Sequence, residues 1–202
     1  MRLATLADLK ADLGITDSTQ DEALGAVLDQ ASAAVERYCR RRFGVAEYQQ
    51  HITHHWRQAP EPIGVILRAY PVLSISAASR NADALDLLRV EVDNEVGLAY
   101  WLDERGNRCT WATGQYRLTF KAGYNLPEGA EDDEAEALPD DLQRGVLLLA
   151  TSVWYGRSRD ASIRIEDVPD VAAITYGTAA IGDADLPGHV TAWLDPYRAA
   201  YV

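Results

Sequence analysis

Three of the four histidines fall within five residues, at His51, His54 and His55. Imidazole is a good zinc ligand, but a closed zinc site gathers about four donors around the ion. In an extended strand, positions 51 and 55 share one face and 54 points to the other. No cysteine or carboxylate follows at ligand-like spacing, so the motif reads as the polar face of a strand and no metal or other cofactor is expected. Carboxylates concentrate elsewhere: residues 128–141 hold eight acidic side chains and no basic one. That run lacks the Asp-x-Asp-x-Asp-Gly spacing of a calcium loop and is expected to be a self-repelling, mobile loop. GxSxG, GxxxxGK[ST] and HExxH are all absent, and no spacing gathers Ser, His and Asp. No catalytic residue is assigned, and the chain is not expected to be an enzyme. Cys39 and Cys109 have no CxxC-type partner and read as structural thiols.

The cations with a pattern are Arg37, Arg40, Arg41 and Arg42, at the end of an alanine-rich helical run. Arginine there interacts favourably with the negative end of the helix dipole. It can also pair bidentately with carboxylates across an interface, and the acidic run would be a ready partner between copies. Near the other end of the sequence stand Trp193, Tyr197 and Arg198. Trp and Tyr are common interface anchors, and the competing reading for both is packing within the chain.

Composition limits the classes of function. The chain has 202 residues, is 48% apolar and carries a formal charge of −12. That is enough apolar material for a real core. Gripping DNA needs a basic surface to neutralise phosphates, so a DNA clamp is disfavoured. No apolar run approaches the ~20 residues that span a bilayer. The opening MRLATLADLKADLGI lacks the apolar segment of a signal peptide, so synthesis in the cytosol is expected.

The periodicity predicts the elements that must position these residues. Residues 5–13 read as a short helix with Thr5 as N-cap and Gly14 as stop. Residues 21–39 read as a second helix, with Leu24, Val27, Leu28, Ala31, Val35 and Tyr38 at helical spacing. Strand character follows at 48–56, 65–70, 72–75, 87–92, 98–102 and 116–122. Pro139 fits the first position of a third helix, apolar on nearly every side from Val146 to Tyr155, which must lie in a core or be shared with a neighbour. Residues 158–186 read as an extended arm or long loop. A last helix begins at 187–189 and bends at Pro196.

Four places carry a family resemblance: TLADLKADLGI followed by EALGAVLDQASAAVERYCRRRF, then YRLTFKAGY, LPDDLQRGVLLLATSVWYGR and LPGHVTAWLDPYR. In this order and spacing they resemble the head–tail connector (adaptor) proteins of long-tailed bacteriophages and gene transfer agents. The central β-rich section is longer than in the smallest members, and the acidic loop is not a motif of that family. The predicted elements add up to an α+β fold that is mainly a helical bundle of about four helices. An antiparallel β section is then inserted between helices 2 and 3. Residues 1–44 and 123–202 would form the helical core with a C-terminal arm, and 45–122 the insertion.

The resemblance also implies a homo-oligomeric ring, typically of twelve subunits in the particle, with the state of the free chain left open between monomer and oligomer. Its partners would be a portal protein and a stopper or tail-completion protein, with DNA passing through the channel without sequence-specific binding and no membrane involved. Its place would be the neck of the particle, after synthesis in the host bacterial cytoplasm. Arg37, Arg40, Arg41, Arg42, Trp193, Tyr197 and Arg198 are then the expected portal or intersubunit contacts. The alternatives are a non-viral protein- or ligand-binding module, or an enzyme with an unrecognised site in the β-rich section.

Overall fold

Helix α1 (Leu6–Leu13) starts where Thr5 Oγ1 accepts the Asp8 N–H at 3.0 Å and stops at Gly14, whose φ is 68°. Helix α2 (Asp21–Cys39) buries Leu24, Val27, Leu28, Ala31, Ala34, Val35 and Cys39, the stripe that a 3.6-residue period lays along one face. In the computed structural model, residues 1–55, 64–157, 165–168, 172–175 and 186–199 are described. They form two compact units: Met1–Arg41, Leu126–Gly129 and Leu138–Val202 make one, and Arg42–Asn125 with Ala130–Ala137 make the other.

In the first unit, helix α3 (Asp140–Gly156) packs with α1 and α2 through Leu142, Val146, Leu147, Leu149 and Ala150. Pro139 is its N-cap, one residue earlier than the sequence placed it. Burial is uneven along this helix: its first half is enclosed, whereas Val153 and Trp154 are half-buried and Tyr155 is 66% exposed. Helix α4 (Gly188–Leu194) lies against α3. Gly145 permits that approach, since a Cβ there would stand 2.8 Å from Leu194 Cδ2. Pro196 ends the α geometry as expected, and Asp195–Tyr197 form a single 3₁₀ turn. Within the segment read as an arm or long loop, strands β9 (Ile165–Val168) and β10 (Ala172–Thr175) pair as an antiparallel hairpin. The rest of 158–185 lies outside the described residues.

The second unit is built from strands. With β1 (Ala46–His54), β3 (Val72–Arg80), β4 (Asp83–Ala84) and β8 (Gly114–Ala122), one antiparallel sheet has the order β1-β8-β3-β4. The other contains β2 (Val65–Ile66), β5 (Val90–Asp93) and β6 (Leu98–Leu102) in the order β2-β6-β5, with β7 (Arg108–Cys109) also paired to β6. Alternation along β8 sends Tyr116, Leu118, Phe120 and Ala122 inward, the period-2 pattern of a half-buried strand. They join Trp111, Leu67, Val72 and Ala99 in one buried cluster. Trp111 Nε1 donates to the Ala99 carbonyl at 3.0 Å, and Tyr116 meets its indole edge-on at 5.0 Å.

The expected fold class is thereby corrected. A mainly helical bundle carrying an inserted β section does not describe this chain. Its strands take up about as much of the sequence as its four described α-helices, and they are organised as two antiparallel sheets with a hairpin besides. The physical reason is the aromatic cluster: the β-rich part closes a hydrophobic core of its own.

The acidic run also differs from a self-repelling loop. Asn125 Nδ2 donates to the Asp132 and Ala135 carbonyls at 2.9 and 2.8 Å, and its Oδ1 accepts the Asp132 N–H at 2.9 Å. Lys121 adds an ion pair to Asp132 at 2.5 Å. In the helical unit, Glu128 accepts the Leu6 N–H at 3.2 Å and lies 3.4 Å from Arg2. These contacts offset the like-charge repulsion that sequence alone suggests.

Candidate assembly surface

The end of α2 closes by two backbone bonds, Arg40 N–H to the Arg37 carbonyl at 3.2 Å and Arg41 N–H to the Glu36 carbonyl at 3.1 Å. This closure puts Arg40 in the left-handed region at φ 55°, a position that glycine usually fills. Helix α1 makes the same closure with Gly14. A side chain there costs about 1 kcal/mol. Arg37, Arg40 and Arg42 are exposed, whereas Arg41 is buried, with 7% of its surface accessible.

The C-terminal elements are tied to α2. Tyr38 Oη donates to Asp195 Oδ1 at 2.5 Å, and the Ala199 N–H donates to the Cys39 carbonyl at 2.9 Å. The Arg198 guanidinium lies 4.8 Å from the Tyr38 ring centre and 4.0 Å from Asp195, a cation–π contact beside an ion pair. Burial, and then the hydrogen bond to Asp195, raise the Tyr38 phenol above its usual range. Burial pushes the Cys39 thiol up to about 12, so it is an inert packing group rather than a nucleophile.

Each residue expected at an interface therefore has a definite place. Tyr197 is half-buried and donates to Asp141, so its hydroxyl holds the 3₁₀ turn to α3. Trp193 is 43% exposed. Arg198 is exposed and its guanidinium lies over the Tyr38 ring. The helical unit thus presents Arg37, Arg40, Trp193 and Arg198 outward, and Arg42 is exposed in the β-rich unit.

Of the histidines, His51 and His55 are exposed and His54 is half-buried. Among the described residues no group of three or more His, Cys, Asp or Glu side chains could hold a metal ion. None of the described helices is long and apolar enough to cross a membrane. Sequence reasoning gave no role to the outward face of the β1-β8-β3 sheet. There the register sets His51 and Ser79 on either side of Arg117, and Glu47 opposite Lys121. Alternation in β8 signals that Arg117 and Lys121 share a face, but the partners across the sheet come only from the register.

The pattern of the family described as phage gp6-like head-tail connector protein matches residues 3–68. No curated protein matches the chain. Among solved structures, a chain of the virion of a native gene transfer agent particle is 19% identical with a TM-score of 0.56. Chains from the neck of an empty gene transfer agent particle, computed with C6 symmetry, and of a native one, computed with C12 symmetry, are 20% and 21% identical with TM-scores of 0.55 and 0.53. In all three the match covers 99% of this chain and 91% of the other. The resemblance to head–tail connector proteins therefore holds in sequence over residues 3–68, and the fold of nearly the whole chain is similar to that of chains from gene transfer agent particles.

Proposed function

We propose that this chain is a structural head–tail connector. Copies of it form a ring under the portal, join the DNA-filled capsid to a stopper or tail component, and leave a channel for DNA. The observation that carries the reading is the connector match over residues 3–68. The fold shared with particle-neck chains supports it, and the C12 symmetry of one of those necks favours twelve subunits. The work is mechanical and electrostatic and needs no catalytic residue. A net charge of −12 suits a DNA passage, because carboxylates repel phosphates and keep the duplex from sticking.

The contact surface for the portal is the α2 end with the C-terminal elements. Arg37, Arg40 and Arg198 supply guanidinium groups for carboxylates, and Trp193 supplies the apolar anchor; Arg42 is a separate contact offered by the β-rich unit. Tyr197 serves from inside, holding the 3₁₀ turn to α3 through Asp141, and Arg41 is buried. Native mass spectrometry of the chain mixed with its portal tests the proposal. Twelve copies per portal are expected, and the triple variant R37E/R40E/R42E should lose portal binding while keeping its circular dichroism. A wild-type chain that does not bind portal would overturn the reading.

A further inference from the structure

The outward face of the β1-β8-β3 sheet carries opposite charge at its two ends. At one end Lys121, opposite Glu47, is met by Asp132 at 2.5 Å and Glu134 at 3.8 Å. Both carboxylates belong to residues 130–137, which Asn125 fastens down. At the other end His51, Ser79, Asn81, Gln115 and Arg117 line a concavity of about 450 Å³, with no carboxylate among the described residues of its lining. Arg117 and Lys121 are four residues apart on β8, about 13 Å at ~3.3 Å per residue.

The concavity is equipped with donors: a guanidinium, an imidazole, a hydroxyl and two amides. Asn81 uses its carbonyl oxygen on the Gln115 N–H at 2.9 Å, which turns its amide nitrogen to other partners. Arg2, Lys10, Arg108, Lys121 and Arg144 are all in ion pairs. Arg117 has none among the described residues. Such a set of donors fits an oxyanion. The chain's charge of −12 opposes steady binding of nucleic-acid phosphate there. The chain itself holds matching chemistry, because Glu131, Asp133 and Glu134 are exposed on the held loop.

We infer that the concavity at Arg117 and His51 receives the acidic loop, residues 130–137, of a second copy of this chain. The inference rests on the ring reading above and assigns it an intersubunit contact distinct from the α2-end arginines. In the ring the loop of one copy enters the concavity of the next, a heterologous contact in which each copy contributes a different surface. Contacts of that kind, repeated about an axis, close into rings.

The test uses the full chain at low salt and millimolar concentration, followed by sedimentation, and its portal complex, followed by native mass spectrometry. Arg117→Glu and the loop variant E131K/D133K should each weaken self-association about tenfold or more. Combining all three changes restores opposite signs and should recover it. Arg117→Gln, a milder change on an exposed strand position, guards against a folding defect and should weaken association in the same direction. Self-association unchanged by Arg117→Glu, or unrecovered in the folded triple variant, would overturn the contact. A species that stops at a dimer would overturn the head-to-tail geometry. Loss of duplex DNA binding in Arg117→Glu with self-association intact would assign the concavity to phosphate and overturn it too. Portal-bound rings of normal mass with Arg117→Glu would remove this contact and leave the ring reading standing. A wild-type chain that self-associates but ignores portal would do the reverse.

Discussion

The two units fill their interiors with different side chains. In the helical unit the largest fully buried residues are leucines: Leu3, Leu9, Leu24, Leu28, Leu138, Leu142 and Leu149. In the β-rich unit they include Trp111, Phe43 and Phe120, with Tyr116 at 4% exposure beside them. Leucine and alanine let helices approach closely, and Gly145 brings α4 onto α3 closer still. A sheet face instead needs bulky, plane-sided groups, which bring a large buried area each. A stripe of leucines is spread over many small contributions, whereas an aromatic cluster concentrates its contribution in a few residues.

That contrast can be broken by mutation. Trp111→Ala should cost about 3–5 kcal/mol and Leu194→Ala, within a range of about 2–5 kcal/mol, less than Trp111→Ala, read by urea denaturation. A larger loss for Leu194→Ala would mean that the aromatic cluster does not dominate. The cysteines sharpen the contrast at high pH. Cys39 has its thiol raised from 9.0 to about 12 by burial, so the folded state keeps a proton that the unfolded state releases. The stabilisation is fully present below pH 9.0 and should fall by about 1.4 kcal/mol per pH unit between there and pH 12. Cys39→Ala should flatten that slope. Cys109→Ala should change it much less, since Cys109 is only half-buried and its rise, again from burial first, is smaller.

The smallest effect compares two helix ends. Arg40→Gly should stabilise the chain by up to ~1 kcal/mol by relieving the left-handed side chain. The same change should weaken portal binding in the mass-spectrometric assay. A variant that is more stable and binds portal equally well would show that Arg40 has no contact role.

Legibility followed the same division. The α2 stripe gave its bounds, 21–39, and the Thr5 cap and Gly14 stop gave those of α1. Residues 98–102 and the outward alternation of β8 were equally plain. The rest failed for identifiable reasons. Strand β3 continues through Ser76, Ala77, Ala78 and Ser79, residues whose small side chains carry little β signal. Residues 87–89, read as strand, form a 3₁₀ turn because Asp86 Oδ1 accepts the Leu88 N–H at 3.0 Å. Trp111 lies outside any strand, so no period announces the residue at the centre of the β core. At the candidate assembly surface, the Arg cluster was visible, but the burial of Arg41 and the anchoring of Tyr197 depend on tertiary contacts.

Asn125 has a consequence of another kind. Its three hydrogen bonds fold the chain from 125 to 135 back on itself. A protease must thread about an extended segment through its cleft, and exposed loop tips are where nicking concentrates. A turn fastened at its base denies that extension to Glu131 and Glu134, which an enzyme cutting after glutamate would otherwise find. One amide side chain thus withholds the acidic loop from such cleavage.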